Sequence, residues 1–123
     1  MSAEAIRLLW ERMEARDWEG VAAQLHPDAV VDWPNTGERM RGRENYLAVQ
    51  RAYPEGWHIA VLRIVDAGDQ VASEVRVDHE GERFYAASFF EVADSRIVSA
   101  VEYWSNGEAE EPPAWRTPWT ERL

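Results

Sequence analysis

Apolar residues recur every three or four positions in the first half of the chain, which is the spacing of one helix face. This period predicts a first helix over Ala3–Arg16. It predicts a second, shorter helix between Asp17, which can cap it, and Pro27, which stops it. A third helix is predicted over Arg43–Ala52, entered through a positive-φ turn at Gly42. The first half of the chain is therefore expected to be mainly helical.

Later in the chain the period changes to two, which indicates strands. The change follows Trp57, and a shorter alternating run over Ala29–Trp33 predicts one strand before it. Short turns rich in Gly, Asp and Ser join the later strands, so we expect antiparallel pairing. Helices followed by strands over one core describe an α+β domain with the helices on one face of a curved sheet. The later predicted strands are His58–Val65, Val71–Asp78, Arg83–Val92 and Arg96–Trp104.

Composition and charge narrow the class of protein. The chain has 123 residues, which suits one domain, and a formal net charge of −10. This negative field repels phosphate backbones and anionic lipids, so we expect neither nucleic-acid nor membrane binding. The sequence has no cysteine, no apolar run of membrane-spanning length and no segment typical of a signal peptide, which favours a cytoplasmic protein.

The end of the chain differs in character from the rest. Residues 1–107 form the single predicted domain, and residues 108–123, EAEEPPAWRTPWTERL, form a tail whose prolines exclude regular secondary structure. Trp115 and Trp119 would forgo apolar burial, worth about 25 cal/mol per Å² of buried area, if they stayed in water. We therefore expect the tail to pack on the domain or on a partner subunit, with both indoles at least half buried.

The segments HPDAVVDWP…GRENY and VEYWSN, together with the order of helices and strands, resemble a known superfamily. It is the nuclear transport factor 2-like superfamily, and the chain is most similar to its SnoaL-like and ketosteroid-isomerase-like branch. The resemblance spans roughly Ala3 to Asn106. It implies a cone-shaped fold in which a curved antiparallel sheet wraps three N-terminal helices around a deep apolar pocket. Because this fold hosts isomerases, cyclases, dehydratases, epoxide hydrolases and non-catalytic binders, function must be argued from the site.

The residues at the reactive positions of the isomerase differ in this chain. Where the isomerase has a catalytic Asp before the Pro of the first strand, this chain has Trp33, and Asp32 lies one residue earlier, on the opposite face. The position of the isomerase's protonated Asp matches Ser88. The position of its first-helix Tyr falls near Leu9 or Trp10, and neither carries a hydroxyl. The resemblance therefore argues against ketosteroid isomerisation itself.

Strand alternation also predicts what the pocket contains. The similarity of the YWS segment to the isomerase places Trp104 inside, and Glu102 then shares its face. Burial among aromatic side chains raises the pKa of a carboxyl, which suits Glu102 to general acid or base chemistry. His58 is the second candidate proton carrier, and Asp32 is held in reserve. The residues expected to bind the substrate are Trp33, Tyr46, Ser88, Phe90 and Trp104.

Each candidate catalytic residue also has a purely structural interpretation. A glutamate on a strand is more often exposed or paired with an arginine than catalytic, and Arg63, Arg76 and Arg83 could pair with Glu102. His58 could be a residue at the edge of a loop. The three histidines lie on separate elements without the spacing of metal ligands, so we expect no metal site and no cofactor.

Two functions of different class remain. The first is a cofactor-independent enzyme, of isomerase, cyclase or hydrolase type, that performs acid–base chemistry on an apolar cyclic substrate through Glu102 and His58. The second is a non-catalytic module of the same fold, whose pocket binds an apolar ligand or is filled by its own side chains. In both cases we expect a homodimer through the outer face of the sheet, where Ala87 and Phe89 would otherwise be exposed.

Overall fold

Three α-helices and a six-stranded sheet form the domain in the computed structural model, which describes residues 2–123. The three helices confirm the predicted ones: α1 spans Ser2–Glu14, α2 spans Trp18–Ala23 and α3 spans Arg43–Ala52. Within residues 2–123, none of the helices combines the length and the apolar character that a membrane crossing requires. The strands are β1 (Leu25–Trp33), β2 (Glu38–Arg41), β3 (Trp57–Ala67), β4 (Gln70–His79), β5 (Glu82–Ala93) and β6 (Arg96–Asn106).

Two helix starts follow the local chemistry that the sequence indicates. At the start of α2, the carboxylate of Asp17 accepts a hydrogen bond from the backbone N–H of Gly20 (3.0 Å), as a capping residue does. Gly42 precedes α3 with φ 89°, a left-handed conformation that favours glycine. Both predictions are confirmed.

The first strand begins earlier than its apolar alternation predicts. β1 starts at Leu25, so Pro27 lies within a strand and does not mark the end of a helix. The register of β1 on β6 shifts between Leu25 and Val30, and Pro27 falls inside that irregular interval. Its missing N–H therefore interrupts no regular ladder of hydrogen bonds.

The sheet has the strand order β2-β1-β6-β5-β4-β3 and curves without closing. Its inner face packs on α1 and α3. This arrangement confirms the predicted α+β cone. One pair departs from the antiparallel pattern, because β1 and β6 run parallel while the other neighbours are antiparallel. β1 and β6 are far apart in the chain, so no short turn between them imposes antiparallel pairing.

The strand β2 is an element that the sequence pattern did not predict. It has four residues, of which only Met40 is buried, so its apolar alternation is too short to recognise. Pairing with β1 holds it in place, with Met40 opposite Val31 and Glu38 opposite Trp33. β1 and β2 thus form a hairpin, and the turn between them forms part of the rim of the pocket.

The outer face of the sheet keeps several apolar side chains in solvent. Val65, Phe89 and Tyr103 are 56, 55 and 50 % exposed, and the last two rings meet edge to face with centroids 6.4 Å apart. Single exposed apolar residues are ordinary, but a contiguous patch of this kind is typical of an interaction surface.

The tail forms a short 3-10 helix, Ala114–Trp119, although its prolines argued against any regular structure. Arg122 donates to both carboxylate oxygens of Glu111 (3.1 Å each) and closes the segment on itself. Trp115 and Trp119 are 73 and 80 % exposed, so the expected half-burial is not reached within a single chain. Packing of the tail on a partner subunit stays a prediction.

Candidate functional site

An open pocket of about 260 Å³ lies between the inner face of the sheet and the helices α1 and α3. Seven of its lining side chains are aromatic and three more are apolar. Its polar lining consists of two carboxylates, Glu38 and Glu102, and three uncharged residues, Asn35, Thr36 and Gln50. The apolar lining comprises Trp10, Met13, Trp33, Tyr46, Tyr53, Trp57, Ile59, Val77, Phe84 and Trp104.

Glu102 on β6 is the buried carboxyl of this pocket, with only 2 % of its surface exposed. The indole N–H of Trp33 donates to its Oε1 (3.0 Å), and the hydroxyl of Ser88 donates to its Oε2 (2.6 Å). Burial raises the pKa of Glu102 above its usual value, and the two hydrogen bonds oppose the rise without cancelling it. Among residues 2–123 no arginine contributes to this shift, so the interpretation of Glu102 as an exposed or arginine-paired residue is wrong.

A row of three buried polar side chains crosses the inner face of the sheet at this level. Ser73 on β4 lies opposite Ser88 on β5, which in turn lies opposite Glu102 on β6. The indole N–H of Trp10 on α1 donates to Ser73 Oγ (3.1 Å). Each member of the row therefore has a hydrogen-bond partner, and the Ser88 hydroxyl is directed at the carboxylate of Glu102.

Strand alternation separates Trp33 from Asp32. Trp33 lines the pocket, whereas Asp32 faces away from it and pairs with Arg39 of β2, whose Nε and Nη2 donate to the two carboxylate oxygens (2.7 and 3.0 Å). The hydrogen bonds from Arg39 lower the pKa of Asp32. Asp32 therefore lies outside the pocket, which corrects its place in the predicted site.

Trp104 forms the wall next to Trp33. The two indole rings meet edge to face, with centroids 6.1 Å apart and planes at 81°. The backbone N–H of Trp104 donates to the side-chain Oδ1 of Asn35 (2.9 Å), which ties the β1–β2 turn to β6 beside the pocket rim. Both indoles line the pocket, and their contact with a substrate stays a prediction.

Tyr46 on α3 lies beside Glu102 at the floor of the pocket. It is 3 % exposed and lines the pocket together with Glu102. Burial raises the pKa of the Tyr46 phenol well above its usual value, and the nearby charge of Glu102 adds to the rise. The hydroxyl therefore stays protonated and is available as a hydrogen-bond donor.

His58 does not reach the pocket, which corrects the predicted pairing with Glu102. Its side chain is 73 % exposed, and its Nδ1 lies 3.0 Å from the carboxylate of Glu14 on α1. Its neighbours on β3, Trp57 and Ile59, line the pocket instead. The reason is strand alternation, because residues on either side of His58 point to the opposite face.

Phe90 lies deeper than predicted, behind the wall of the pocket. It is 3 % exposed and meets Trp10 edge to face, with centroids 6.4 Å apart. It does not line the open pocket. Phe90 therefore supports the wall without contacting the ligand space.

Four aromatic lining residues were absent from the predicted site: Trp10, Tyr53, Trp57 and Phe84. Trp10 belongs to the apolar stripe of α1, which the sequence identifies only as core. Phe84 shares its strand face with Ser88, and that alternation was a usable signal. The position of Trp57 could not be read from spacing, because it depends on how β3 packs against α1.

The polar groups of the pocket limit the chemistry that it can perform. Glu102 is its buried carboxyl with a raised pKa, and Tyr46 is a phenol that remains protonated. Within residues 2–123, no three side chains of histidine, aspartate or glutamate converge as metal ligands would. The arrangement can hold an apolar molecule and exchange a proton with it.

Comparisons with known proteins agree with this architecture. The profile of the SnoaL-like domain family matches residues 6–100. A crystal structure of a Kribbella flavida DSM 17836 protein, with the suggested name ketosteroid isomerase, is 32% identical and covers 99% of this chain and 89% of its own, with a TM-score of 0.93. Among curated proteins, none matches the sequence.

Two further structures share the fold. An NTF-2 like protein of unknown function from Burkholderia xenovorans LB400 is 27% identical, covers 99% of this chain and 94% of its own, and has a TM-score of 0.80. IdmH from Streptomyces antibioticus, suggested to be a polyketide cyclase, is 24% identical, covers 87% of this chain and 92% of its own, and has a TM-score of 0.73.

Proposed function

The chain belongs to the SnoaL-like domain family, and we propose that it is a cofactor-independent enzyme that moves a proton on an apolar cyclic substrate through Glu102. One observation carries this proposal: Glu102 is buried, lines an open aromatic pocket and has a raised pKa. A carboxyl whose pKa lies nearer to neutrality exchanges protons more efficiently with weakly acidic groups. The fold alone would not support this step, because it also hosts binding proteins.

The two hydrogen bonds to Glu102 leave its carboxyl able to act as both base and acid. Trp33 and Ser88 each occupy one lone pair of its carboxylate, which leaves both oxygens with capacity for another proton or hydrogen bond. Because His58 lies outside the pocket, Glu102 has no histidine to share the work. We therefore favour a reaction in which the same carboxyl removes a proton and returns it, as in an isomerisation or cyclisation. The Tyr46 hydroxyl would donate to the oxygen on which negative charge develops.

Ketosteroid isomerisation is not part of this proposal. The position of the isomerase's catalytic Asp is taken by Trp33, and the position of its oxyanion-stabilising Asp is taken by Ser88. In this chain both residues donate to Glu102, so they serve to hold a different carboxylate. The name suggested for the Kribbella protein therefore does not pass to this chain.

The second candidate function is a non-catalytic module that binds an apolar ligand. The observation that favours it is the same pair of hydrogen bonds, because a carboxylate held at both oxygens could serve only to satisfy Trp33 and Ser88. The two functions share an open pocket and differ in whether Glu102 exchanges a proton with what the pocket holds.

Binding of an apolar ring compound should quench the tryptophan fluorescence of the protein. We expect 2-tetralone, an apolar bicyclic ketone, to quench it saturably, and Trp33→Ala to weaken the affinity about tenfold because a wall of the pocket is lost. The measurement is a fluorescence titration. Trp119→Ala is the matched control, because it also removes one indole but lies in the exposed tail. Quenching that does not saturate would show that the pocket does not bind such compounds.

We also propose that two copies associate through the outer face of the sheet. Analytical ultracentrifugation at micromolar concentration should give twice the 14.2 kDa mass of the chain. Phe89→Glu, which places a charge in the exposed patch, should give a monomer. Ala48→Glu adds the same charge at an exposed position of α3 and should leave the dimer intact. A wild-type monomer at all concentrations would exclude the dimer.

The remaining partner and location predictions rest on composition. A cytoplasmic location fits a sequence without cysteine. The formal net charge of −10 argues against nucleic-acid partners.

A further inference from the structure

The charges of the pocket lining have one sign. Its charged side chains are Glu38 at the rim and Glu102 at the floor, and its lining contains no arginine, lysine or histidine. Most of the remaining wall is aromatic. Aromatic rings carry partial negative charge on their faces, so they attract cations. An anionic ligand would meet two carboxyls and no cationic side chain here, whereas a cation would meet two carboxyls and several rings.

We propose that the pocket selects a positively charged ligand, an apolar compound that carries a substituted ammonium group. This inference rests on the proposal that the pocket binds an apolar compound, and it names the chemical class of that ligand. Trp33 and Trp104 are the walls of the cation site, because their rings stand at 81° to each other with centroids 6.1 Å apart. Glu102 is the counter-ion. Its Oε1 accepts a hydrogen bond from the Trp33 indole N–H (3.0 Å), so the carboxylate lies beside this wall. An ammonium group in this corner meets aromatic surface and a carboxylate together.

Two arginines next to pocket-lining elements are already paired with carboxylates. Arg16 stacks behind Trp57, with its guanidinium carbon 3.3 Å from the ring centroid, and its side chain donates to both carboxylate oxygens of Glu55. Arg39 pairs with Asp32 on the opposite face of the sheet. Neither arginine lines the pocket. The formal net charge of −10 adds a long-range field that attracts cations.

A cation also relieves the unfavourable burial of the carboxylate. Glu102 is 2 % exposed, and among residues 2–123 its hydrogen-bond donors are two neutral groups, Trp33 and Ser88. An ammonium group beside it would stabilise the ionised form, and the carboxylate would in turn hold the ammonium group. The aromatic walls complete the site because they are apolar and still attract positive charge.

A pair of isosteric probes tests the inference. Choline and 3,3-dimethylbutan-1-ol have nearly the same shape, but only choline is charged. By isothermal titration calorimetry at 150 mM NaCl we expect choline to bind at least tenfold more tightly than the alcohol. Glu102→Gln and Trp104→Ala should each reduce that ratio at least threefold. Glu19→Gln, which removes one exposed carboxylate outside the pocket, should leave the ratio unchanged.

The titration with 2-tetralone separates the two possible failures. If 2-tetralone binds but choline binds no better than 3,3-dimethylbutan-1-ol, or does not bind at all, the preference for cations is overturned. The proposal that the pocket binds apolar compounds then stands. If neither 2-tetralone nor choline binds, both proposals fall. A preference for choline that persists in Glu102→Gln and Trp104→Ala would place the cation elsewhere on the acidic surface, and would also overturn the inference.

Discussion

Replacing Glu102 with glutamine is expected to slow proton exchange on a bound ketone at least about a hundredfold, the lower range for loss of a general base. The reaction to follow is the exchange for deuterium of the hydrogens next to the carbonyl of 2-tetralone, measured by proton NMR in D₂O. The wild-type protein should accelerate this exchange, because Glu102 lines the pocket and has a raised pKa. The variant lacks the group that takes the proton.

Glutamine should preserve the geometry around position 102, so the comparison isolates the proton carrier. Its side-chain oxygen can accept the hydrogen bond from Trp33 Nε1, and its amide nitrogen can donate to Ser88 Oγ in place of the present bond. The affinity for neutral 2-tetralone should therefore change little. Exchange in the variant that is as fast as in the wild type, or no acceleration by the wild type, would contradict the catalytic proposal and favour the binding module.

The pH dependence of the wild-type exchange rate should have a defined sign. Proton removal requires the carboxylate form of Glu102, and burial raises the pKa of this group. The rate should therefore fall as pH decreases through that raised pKa, and the fall should begin at a higher pH than for an exposed glutamate.

Replacing Trp10 with alanine should lower the free energy of unfolding by about 3–5 kcal/mol. The side chain is 3 % exposed, meets Phe90 edge to face and donates its indole N–H to Ser73. Its loss leaves a cavity between α1 and the sheet and removes the partner of a buried hydroxyl. Because domains of this size are stable by only about 5–15 kcal/mol, the change is a large fraction of the total.

Urea unfolding followed by far-ultraviolet circular dichroism measures this effect, at one protein concentration because association also stabilises the fold. Ser73→Ala is the graded control, since it removes only the acceptor of the Trp10 N–H and should cost about 1–3 kcal/mol. Equal losses in the two variants would mean that Trp10 contributes through its hydrogen bond and not through packing.

The sequence by itself determined the type of each long element and the relative faces of residues within a strand. The period of 3.6 predicted α1 and α3, and the period of two predicted β3 to β6, because these segments are long enough to repeat their pattern several times. Alternation also separates Trp33 from Asp32, and it placed Glu102 and Trp104 on one face. These features are local, so they can be read without the fold.

The tertiary structure decided depth, pairing between distant strands and the combination of charges around the pocket. Alternation cannot distinguish Phe90, which supports the wall from behind, from Trp104, which lines the pocket, because depth depends on the curvature of the sheet and on the helix above it. The parallel pairing of β1 with β6 joins segments far apart in the chain. The exclusion of His58 from the pocket also depends on which face of β3 meets α1. Local sequence specifies none of these relations, because each is set by the packing of one element against another.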